Sequence, residues 1–405
     1  MTVGSETVDR VIKGQLCTGC GLCASVSRGA ISMRMEAPGY SRPQQMGIVT
    51  PDAERIIAAA CPGAVVAEWQ AAPETHAYWG PVRRVTTGHA LDPEVRFEGS
   101  SGGAISALII HALDTGLVDR AIHVAADPQN PTRNIMISSK TRAEVVAGAG
   151  SRYTASSPLE QIDAALAGGG SIAFVGKPCD VSALRRLGAV DPRVKRHVPV
   201  MLSFFCGGMP SHDGVDRILK TMGTRRDDIV AFRYRGQGWP GTTAATAADG
   251  RVYEMSYADS WGGHLSKEVQ FRCKICPDAV GGVADIACAD AWYGGESGYP
   301  QFDERDGRSL IVARSETGAR LLNSACTQGV LEVEELEIGE IDLMQPSQAR
   351  RKRLVLARSA ALTATGQPKP KMRGTRVWEA AKAAGLGEAA HNFAGTVRRI
   401  VMGRR

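Results

Sequence analysis

Ser171-Ile-Ala-Phe-Val-Gly-Lys-Pro-Cys179 is the stretch whose reading decides the fold. Ile172 to Val175 is a short apolar run with β-branched and aromatic members and a glycine directly after it, the pattern of a strand buried on both faces. Beyond Pro178, Val181, Leu184 and Leu187 recur at helical spacing. Pro199-Val-Met-Leu-Ser-Phe-Phe205 repeats the strand pattern and ends in Cys206-Gly-Gly208. Strand, loop, helix and strand in this order indicate an α/β layer, where ligands gather at the carboxyl ends of strands. Two strand ends therefore deliver one thiol each, Cys179 and Cys206, toward one side of a sheet.

The segments upstream extend the layer. Glu98-Gly-Ser-Ser-Gly-Gly103 precedes Ala104–Leu113, an apolar run too short to cross a membrane and read as a buried helix. A Gly/Ser loop that opens a helix offers free amides and a positive dipole end, which suits phosphate; it is also an ordinary helix cap. Val118–Ala125 reads as a strand. Gly150-Ser-Arg-Tyr-Thr-Ala-Ser-Ser157 is a second polar loop, ahead of a helix near residues 158–167.

The chain has ten cysteines, and their spacing carries the chemistry. Cys17, Cys20 and Cys23 stand three residues apart, and Cys61-Pro62 follows at a distance. Iron prefers thiolate, and a cubane iron–sulfur cluster takes four such ligands. A short loop can turn three thiolates to one point while the fourth arrives from elsewhere. Ser27 occupies the place of the fourth cysteine of a bacterial ferredoxin run, so one cluster is expected here. Cys273-Lys-Ile-Cys276-Pro277 is a second pair at ligand spacing, which with Cys179 and Cys206 supplies four more thiolates. That pair alone would also suit a structural zinc ion. Cys326 reads as a small core residue, and Cys288 as core or substitute ligand. Met1–Arg10 has no apolar secretory segment, and 405 residues can build cores without disulfide staples, so a reducing, cytoplasmic setting is expected.

Charge is uneven along the chain. From Arg350 onward there are fourteen basic residues against Glu379 and Glu388, whereas the whole chain carries only +6. Gln367-Pro-Lys-Pro370 is a stiff link within this tail, and Trp378 to Met402 shows helical spacing with Trp378, Leu386, Phe393, Val397 and Ile400 as the apolar set. Either a helix packs on the body with a solvated basic face, or the tail contacts an anionic membrane surface or an acidic partner. Nucleic acid is not expected, because no aromatic–basic interleaving occurs.

Taken together, Cys17–Cys23, Gly99–Gly103, Gly116–Asp119, Gly150–Tyr153, Val175–Cys179, Phe204–Ser211, Gly236–Gly241, Cys273–Asp278 and Ala284–Trp292 resemble, in order, the coenzyme F420 hydrogenase/dehydrogenase beta-subunit family, which includes 7-hydroxymethyl chlorophyll a reductase-like proteins. The resemblance spans about residues 15 to 345. It implies an α/β flavin-binding domain with a small N-terminal ferredoxin-like iron–sulfur domain and, after it, a helical basic C-terminal tail. The expected division is residues 1–75 for the ferredoxin-like 4Fe–4S domain, 76–170 for the flavin-binding part, 171–345 for the catalytic part and 346–405 for the tail. The implied cofactors are FAD, against Ser100, Ser101, Gly102, Gly103, Gly150, Ser151, Arg152, Tyr153, Gly176, Lys177 and Pro178, and two 4Fe–4S clusters. The first cluster would use Cys17, Cys20, Cys23 and Cys61, and the second Cys179, Cys206, Cys273 and Cys276. Lys177 departs from the commoner Thr, and its charge would favour a reduced anionic flavin. Cys288 stands where a small residue is usual, which makes it a non-ligand.

The implied function is an oxidoreductase working between a ferredoxin-like protein or deazaflavin (coenzyme F420) carrier and a small organic substrate. A beta subunit that only passes electrons within a larger hydrogenase or dehydrogenase complex, and a zinc-stabilised binding protein, are the competing readings, and oligomeric state stays open. No acid–base dyad stands out; His212 and His264 are the candidates.

Overall fold

The computed structural model describes residues 4–69, 72–293 and 301–403. Its centre is an eight-stranded mixed sheet. In chain order the strands are β1 (Arg84–Ala90), β2 (Arg120–Ala126), β3 (Asn134–Ser139), β4 (Ile172–Gly176), β5 (Val200–Phe204), β6 (Ile286–Asp290), β7 (Ser309–Ala313) and β8 (Leu331–Glu335). Their spatial order is β8-β1-β7-β6-β5-β4-β2-β3. The inner strands β2, β4, β5 and β6 run parallel, and the flanking pairings are antiparallel. One sheet thus takes β1–β3 from before residue 170 and β4–β8 from after it.

Strand β4 shows why its sequence is apolar throughout. Ala173 and Val175 face a core with Val200, Leu202 and Ile286, and with Leu108 and Ile109 of α1 (Ala104–Asp114). Ile172 and Phe174 face the opposite core with Met201, and with Val181 and Leu184 of α2 (Pro178–Leu187). Side chains alternate faces along a strand, so a strand covered on both sides needs apolar residues at every position. The strands expected at 171–175, 199–205 and 118–125 and the helix at 104–113 all occur, shifted by a residue or two at their ends.

The four N-terminal cysteines lie in a small unit of their own. Helix Glu6–Lys13 is capped by Ser5, whose hydroxyl accepts from Val8 N, and helix Pro51–Ala60 by Thr50, with Pro51 in its first turn. An antiparallel hairpin, Ile31–Glu36 with Tyr40–Gln45, lies between them. Ser27, at the ferredoxin position, is a turn residue: its hydroxyl donates to Ala24 O and accepts from Ile31 N.

The basic tail is built into the body. It holds the long helix α3 (Pro346–Ala364), a strand at Lys371–Arg373, a short helix at Val377–Ala381, and α4 (Leu386–Val401). The strand pairs in parallel with Val65–Ala67, directly after Cys61-Pro62. Leu362 and Ile400 join a cluster with Val11, Leu16 and Cys17 from the N-terminal unit and Phe271 and Ile275 beside the second cysteine group. This corrects one expectation: Trp378 to Met402 is not one helix with a single apolar face, since Trp378 is 73% and Leu386 90% exposed. Of the two readings of the tail, packing on the body is the one seen, because its strand and α4 are structural partners of the first cysteine unit. None of the helices among the described residues is long and apolar enough to cross a membrane.

Deleting residues 365–405 is therefore expected to loosen the N-terminal unit first. Limited proteolysis should show cutting within residues 28–50 of the shortened chain under conditions in which the full chain resists. Equal resistance of both would mean that the Lys371–Arg373 pairing and Ile400 contribute nothing to holding that unit.

Candidate functional site

Two buried groups of thiols flank the carboxyl edge of the parallel strands. In the first, Cys17 and Cys20 are buried, and Cys23 and Cys61 partly so. Burial pushes all four thiols up, Cys61 to about 11. Mutual repulsion adds to this: Cys61 acts on Cys20, Cys20 and Cys17 act on Cys23, and Cys17 acts on Cys61. Such coupling places the four thiols in one neighbourhood. Gly19 N points at Cys17 Sγ at 3.4 Å, the amide-to-sulfur arrangement that lowers thiolate charge.

In the second group Cys179 sits in the first turn of α2, Cys206 follows β5, and Cys273 and Cys276 come from the short helix Phe271–Lys274 and the turn after it. Burial and then Cys273 push Cys206 up to about 12, while Arg351 opposes. Cys179 is raised by burial, by Asp180 and by Cys206 and Cys273. Met209 N and Gln270 Nε2 lie 3.4 and 3.6 Å from Cys273 Sγ. Gly208, at φ 124°, lets the backbone pass Cys273: a Cβ there would meet Val269 at 2.5 Å and Cys273 Cβ at 3.4 Å. All eight donors are thiols. Among the described residues no three His, Cys, Asp or Glu side chains close in on one point as a single metal ion requires.

An ion pair stands between the groups. Lys177 Nζ lies 2.7 Å from Asp180 Oδ2, and both side chains are buried. Asp180 raises Cys20 of the first group and Cys179 of the second. Burial would lower Lys177, but Asp180 outweighs it and holds the ammonium charged. Asp180 itself is raised by burial, against the pull of Lys177.

A cavity of about 760 Å³ opens beside the second group. One wall is the Gly/Ser loop and first turn of α1: Ser100, Ser101, Gly103 and Ala104–Ser106. Gly103 caps this helix at φ 73°, where a Cβ would stand 2.6 Å from Val95 O. Gly150, Ser151, Arg152, Tyr153, Gly176 and Lys177 also line the cavity, as do Cys206 and Cys273. Gly102 and Pro178, the remaining residues expected at the flavin, do not line it. Gly102 N is bonded to Ser309 Oγ at 3.0 Å, and Pro178 begins α2. The Arg152 guanidinium is turned into the protein, donating to Asn134 Oδ1, Phe232 O, Pro131 O and Arg133 O.

A further part of the lining is aromatic and was not assigned from the sequence. Arg235 is buried and bidentate to Asp290, at 2.9 and 2.8 Å, and its guanidinium lies 4.5 Å from the Tyr257 ring centroid. Trp239 Nε1 donates to the same carboxylate at 2.8 Å and its ring stacks on Trp292. Arg235, Tyr257, Trp261, Trp292 and Phe302 all line the cavity. The signal lay in the segments Gly236–Gly241 and Ala284–Trp292, which carry the Trp239 and Asp290 partners but not Arg235 itself.

The histidine candidates stand elsewhere. His212 is buried between Thr154 Oγ1 (3.0 Å) and Thr132 Oγ1 (3.3 Å), where its main chain bonds Gly39 of the N-terminal hairpin. Neither His212 nor His264 lines the cavity. Cys288 does line it from β6, as part of the main core, and burial pushes its thiol to about 12. Cys326 packs at the edge of the same core.

An α/β sheet with thiol-rich loops at its parallel strand ends, and an amide-lined cavity touching one thiol group, defines the class. Family profiles make it specific. Those of the coenzyme F420 hydrogenase/dehydrogenase beta subunit match this chain twice, the N-terminal profile at residues 85–163 and the C-terminal profile at residues 169–338. The chain belongs to this family. The coenzyme F420 hydrogenase subunit beta of Methanococcus voltae is 28% identical over 282 residues, covering 68% of this chain and 92% of that protein. Rice 7-hydroxymethyl chlorophyll a reductase, a chloroplast protein, is 23% identical over 231 residues, covering 57% of this chain and 47% of that one. A chain from the F420-reducing [NiFe] hydrogenase complex of Methanosarcina barkeri shares the fold, with a TM-score of 0.55 at 20% identity, over 71% of this chain and 96% of that chain.

The buried imidazole of His212 makes a pH test. Burial, then Arg226 and Arg133, push it down to about 4, so the folded protein holds it neutral. The unfolded chain takes up this proton first as pH falls below about 6.5. Stability from this site is therefore complete above that pH and is lost down to about 4, a contribution of roughly 3 kcal/mol. In His212→Gln, the urea midpoint should fall less steeply between pH 7 and 4 than in the parent; parallel curves would show that His212 is not held neutral.

Proposed function

We propose that this chain is an FAD- and iron–sulfur-dependent oxidoreductase that moves electrons between a ferredoxin-like or deazaflavin carrier and a small organic substrate. The observation that carries the reading is the continuity of the cavity: one wall is the amide end of α1, another is Cys206 and Cys273. The free amides of the α1 N-terminus suit a diphosphate, and the Tyr257, Trp292 and Phe302 wall suits a planar ring. Bound there, FAD would exchange electron pairs with an organic molecule and single electrons with a cluster.

Two 4Fe–4S clusters would be held by Cys17, Cys20, Cys23 and Cys61, and by Cys179, Cys206, Cys273 and Cys276. The donor chemistry supports this, since both sets consist of thiols alone. Loading with metal would release the protons that burial holds on these thiols. The division at residues 1–75, 76–170, 171–345 and 346–405 becomes a functional one: entry cluster, flavin wall, second cluster, and a tail that braces both thiol groups. Lys177, on the cavity and paired with Asp180, would place a positive charge beside reduced flavin and the second cluster alike.

A second reading is favoured by the likeness to a chain of the hydrogenase complex: a member of a larger assembly that only transfers electrons. Anaerobic purification at native expression separates the two. A stoichiometric large partner supports the assembly reading, and a protein that alone reduces an organic acceptor supports the enzyme.

Anaerobically reconstituted protein should hold about eight iron atoms, from two four-iron clusters, and one FAD. Cys276→Ser should halve the iron, because serine oxygen is a poor soft-metal ligand, and should slow flavin reduction by a one-electron donor while FAD stays bound. Four irons with one zinc in the parent, or full iron in the variant, would sink the assignment of the second cluster.

A further inference from the structure

The family profiles end at residue 338, yet the cavity is also walled by α3 of the basic tail. Pro346, Ser347 and Gln348, the first turn of this 19-residue helix, line it. So do Arg350, Arg351 and Arg358 of α3, and Lys274, whose carbonyl accepts from Arg358. These cations crowd one another. Arg351 donates to the carbonyls of Cys206 and Gly207, and Arg358 to Lys274 O and Asn392 Oδ1. Lys274 Nζ makes no hydrogen bond among the described residues, and Glu268 and Cys273 are the negative groups that act on it. Arg399 adds a further charge, and its buried Nε has no partner among the described residues. Among the described residues the carboxylate in an ion pair with this group is Glu388, 2.6 Å from Arg350. Burial, then Arg351, Arg350 and Arg399, push Arg358 down to about 10, the mark of like charges held together.

We propose that this end of the cavity is an oxyanion subsite built by the C-terminal helix, and that it takes the phosphate or carboxylate group of the molecule that exchanges electrons at the flavin. A helix N-terminus and four converging cations supply field and donors for an anion, and carbonyl-bonded arginines hold that geometry before it arrives. Glu388 and the cysteine group at Cys206 and Cys273 offset part of the repulsion among Lys274, Arg350, Arg351 and Arg358, and an anionic occupant would offset more, as a neutral one would not. The inference rests on the flavin reading above for the identity of the occupant's partner, but not for the anion site itself. FAD's own diphosphate is assigned above to the amides of α1, an element distinct from the α3 helix that carries these cations.

Titration calorimetry on the flavin-loaded full chain at low salt, with inorganic pyrophosphate and with citrate as probes, tests it. At least one probe should bind, and binding should weaken at physiological ionic strength, where screening sets in over about 8 Å. The double variant Lys274→Gln/Arg350→Gln should lose about tenfold or more in affinity through lost charge-assisted bonds, with FAD content unchanged. Glu388→Gln, which frees Arg350, should bind the probe more tightly. Preference for pyrophosphate assigns a phosphate-bearing molecule, and preference for citrate a polycarboxylate. No binding of either probe, or equal affinity in all three proteins, overturns the proposal. Loss of FAD from the double variant also overturns it, because the cations would then hold the flavin itself. A parent protein that binds the probe but takes up no flavin keeps the subsite and sinks the flavin reading instead.

Discussion

The parallel register of β4 on β5 is the constraint on which the site depends. Val200 stands opposite Ala173, and Ser203 opposite Gly176, so both strands end at one level of one edge. Chain leaving β4 enters Lys177-Pro178-Cys179, and chain leaving β5 enters Phe205-Cys206-Gly207. Side bonds pin that level: Ser203 Oγ donates to Gly176 O at 2.9 Å, Phe205 N to Cys288 O and Cys206 N to Ala279 O, both at 2.8 Å. A slip of one residue would exchange the two faces of every strand involved, turning Phe174 and Ile172 into the wrong core. The same packing that buries these side chains therefore sets the separation of Cys179 from Cys206.

How much of this is legible in the chain follows from range. Strands β4 and β5 and helix α1 announce themselves because a fully covered element needs an unbroken apolar run or a helical one, and that is a local property. The thiols are legible because ligand spacing within a loop is also local. The insertion of β1 between β7 and β8 is not, since antiparallel partners more than 200 residues away leave no mark on Arg84–Ala90 itself. The aromatic wall is hidden for a similar reason. Arg235 reads as one more surface arginine until Asp290, Trp239 and Tyr257 meet around it. Gly102 misleads in the opposite direction: a glycine in a phosphate-like loop can serve packing, and here a Cβ would meet Gly88 O at 2.7 Å and Ser309 N at 2.8 Å.

The tail is the clearest case of charge misread by counting. A run of fourteen basic residues suggests a solvated or docking segment, but arginine and lysine also donate to backbone carbonyls. Cys206, Gly207, Lys274 and Pro277 all expose carbonyl oxygens around the second thiol group, and Arg351, Arg358 and Lys352 take them. Loops that must curl their amides and sulfurs inward leave carbonyls outward, and a cationic helix satisfies those while adding positive charge near a thiol-rich centre. The strand at Lys371–Arg373 then carries the chain on to the other group, next to Cys61-Pro62. One segment thus braces both.

Between the two groups the Lys177–Asp180 pair shows what such a centre demands. A buried ion pair is weak support for stability, because desolvation offsets most of its attraction. Asp180 even keeps Oδ1 without a partner among the described residues, an arrangement that costs free energy. A pair with that cost makes sense where charge, not stability, is needed. Thiolates on either side would each repel the other, and the carboxylate alone would worsen this, as it already does for Cys20 and Cys179. The ammonium faces Cys179 and Cys206 and the cavity, so its positive end is presented to the second group while Asp180 holds it in place. The chain thereby fixes a cation at the junction of cavity and thiols through a three-residue capping contact, Lys177 N to Asp180 Oδ2 at 3.1 Å, that the first turn of α2 would use in any case.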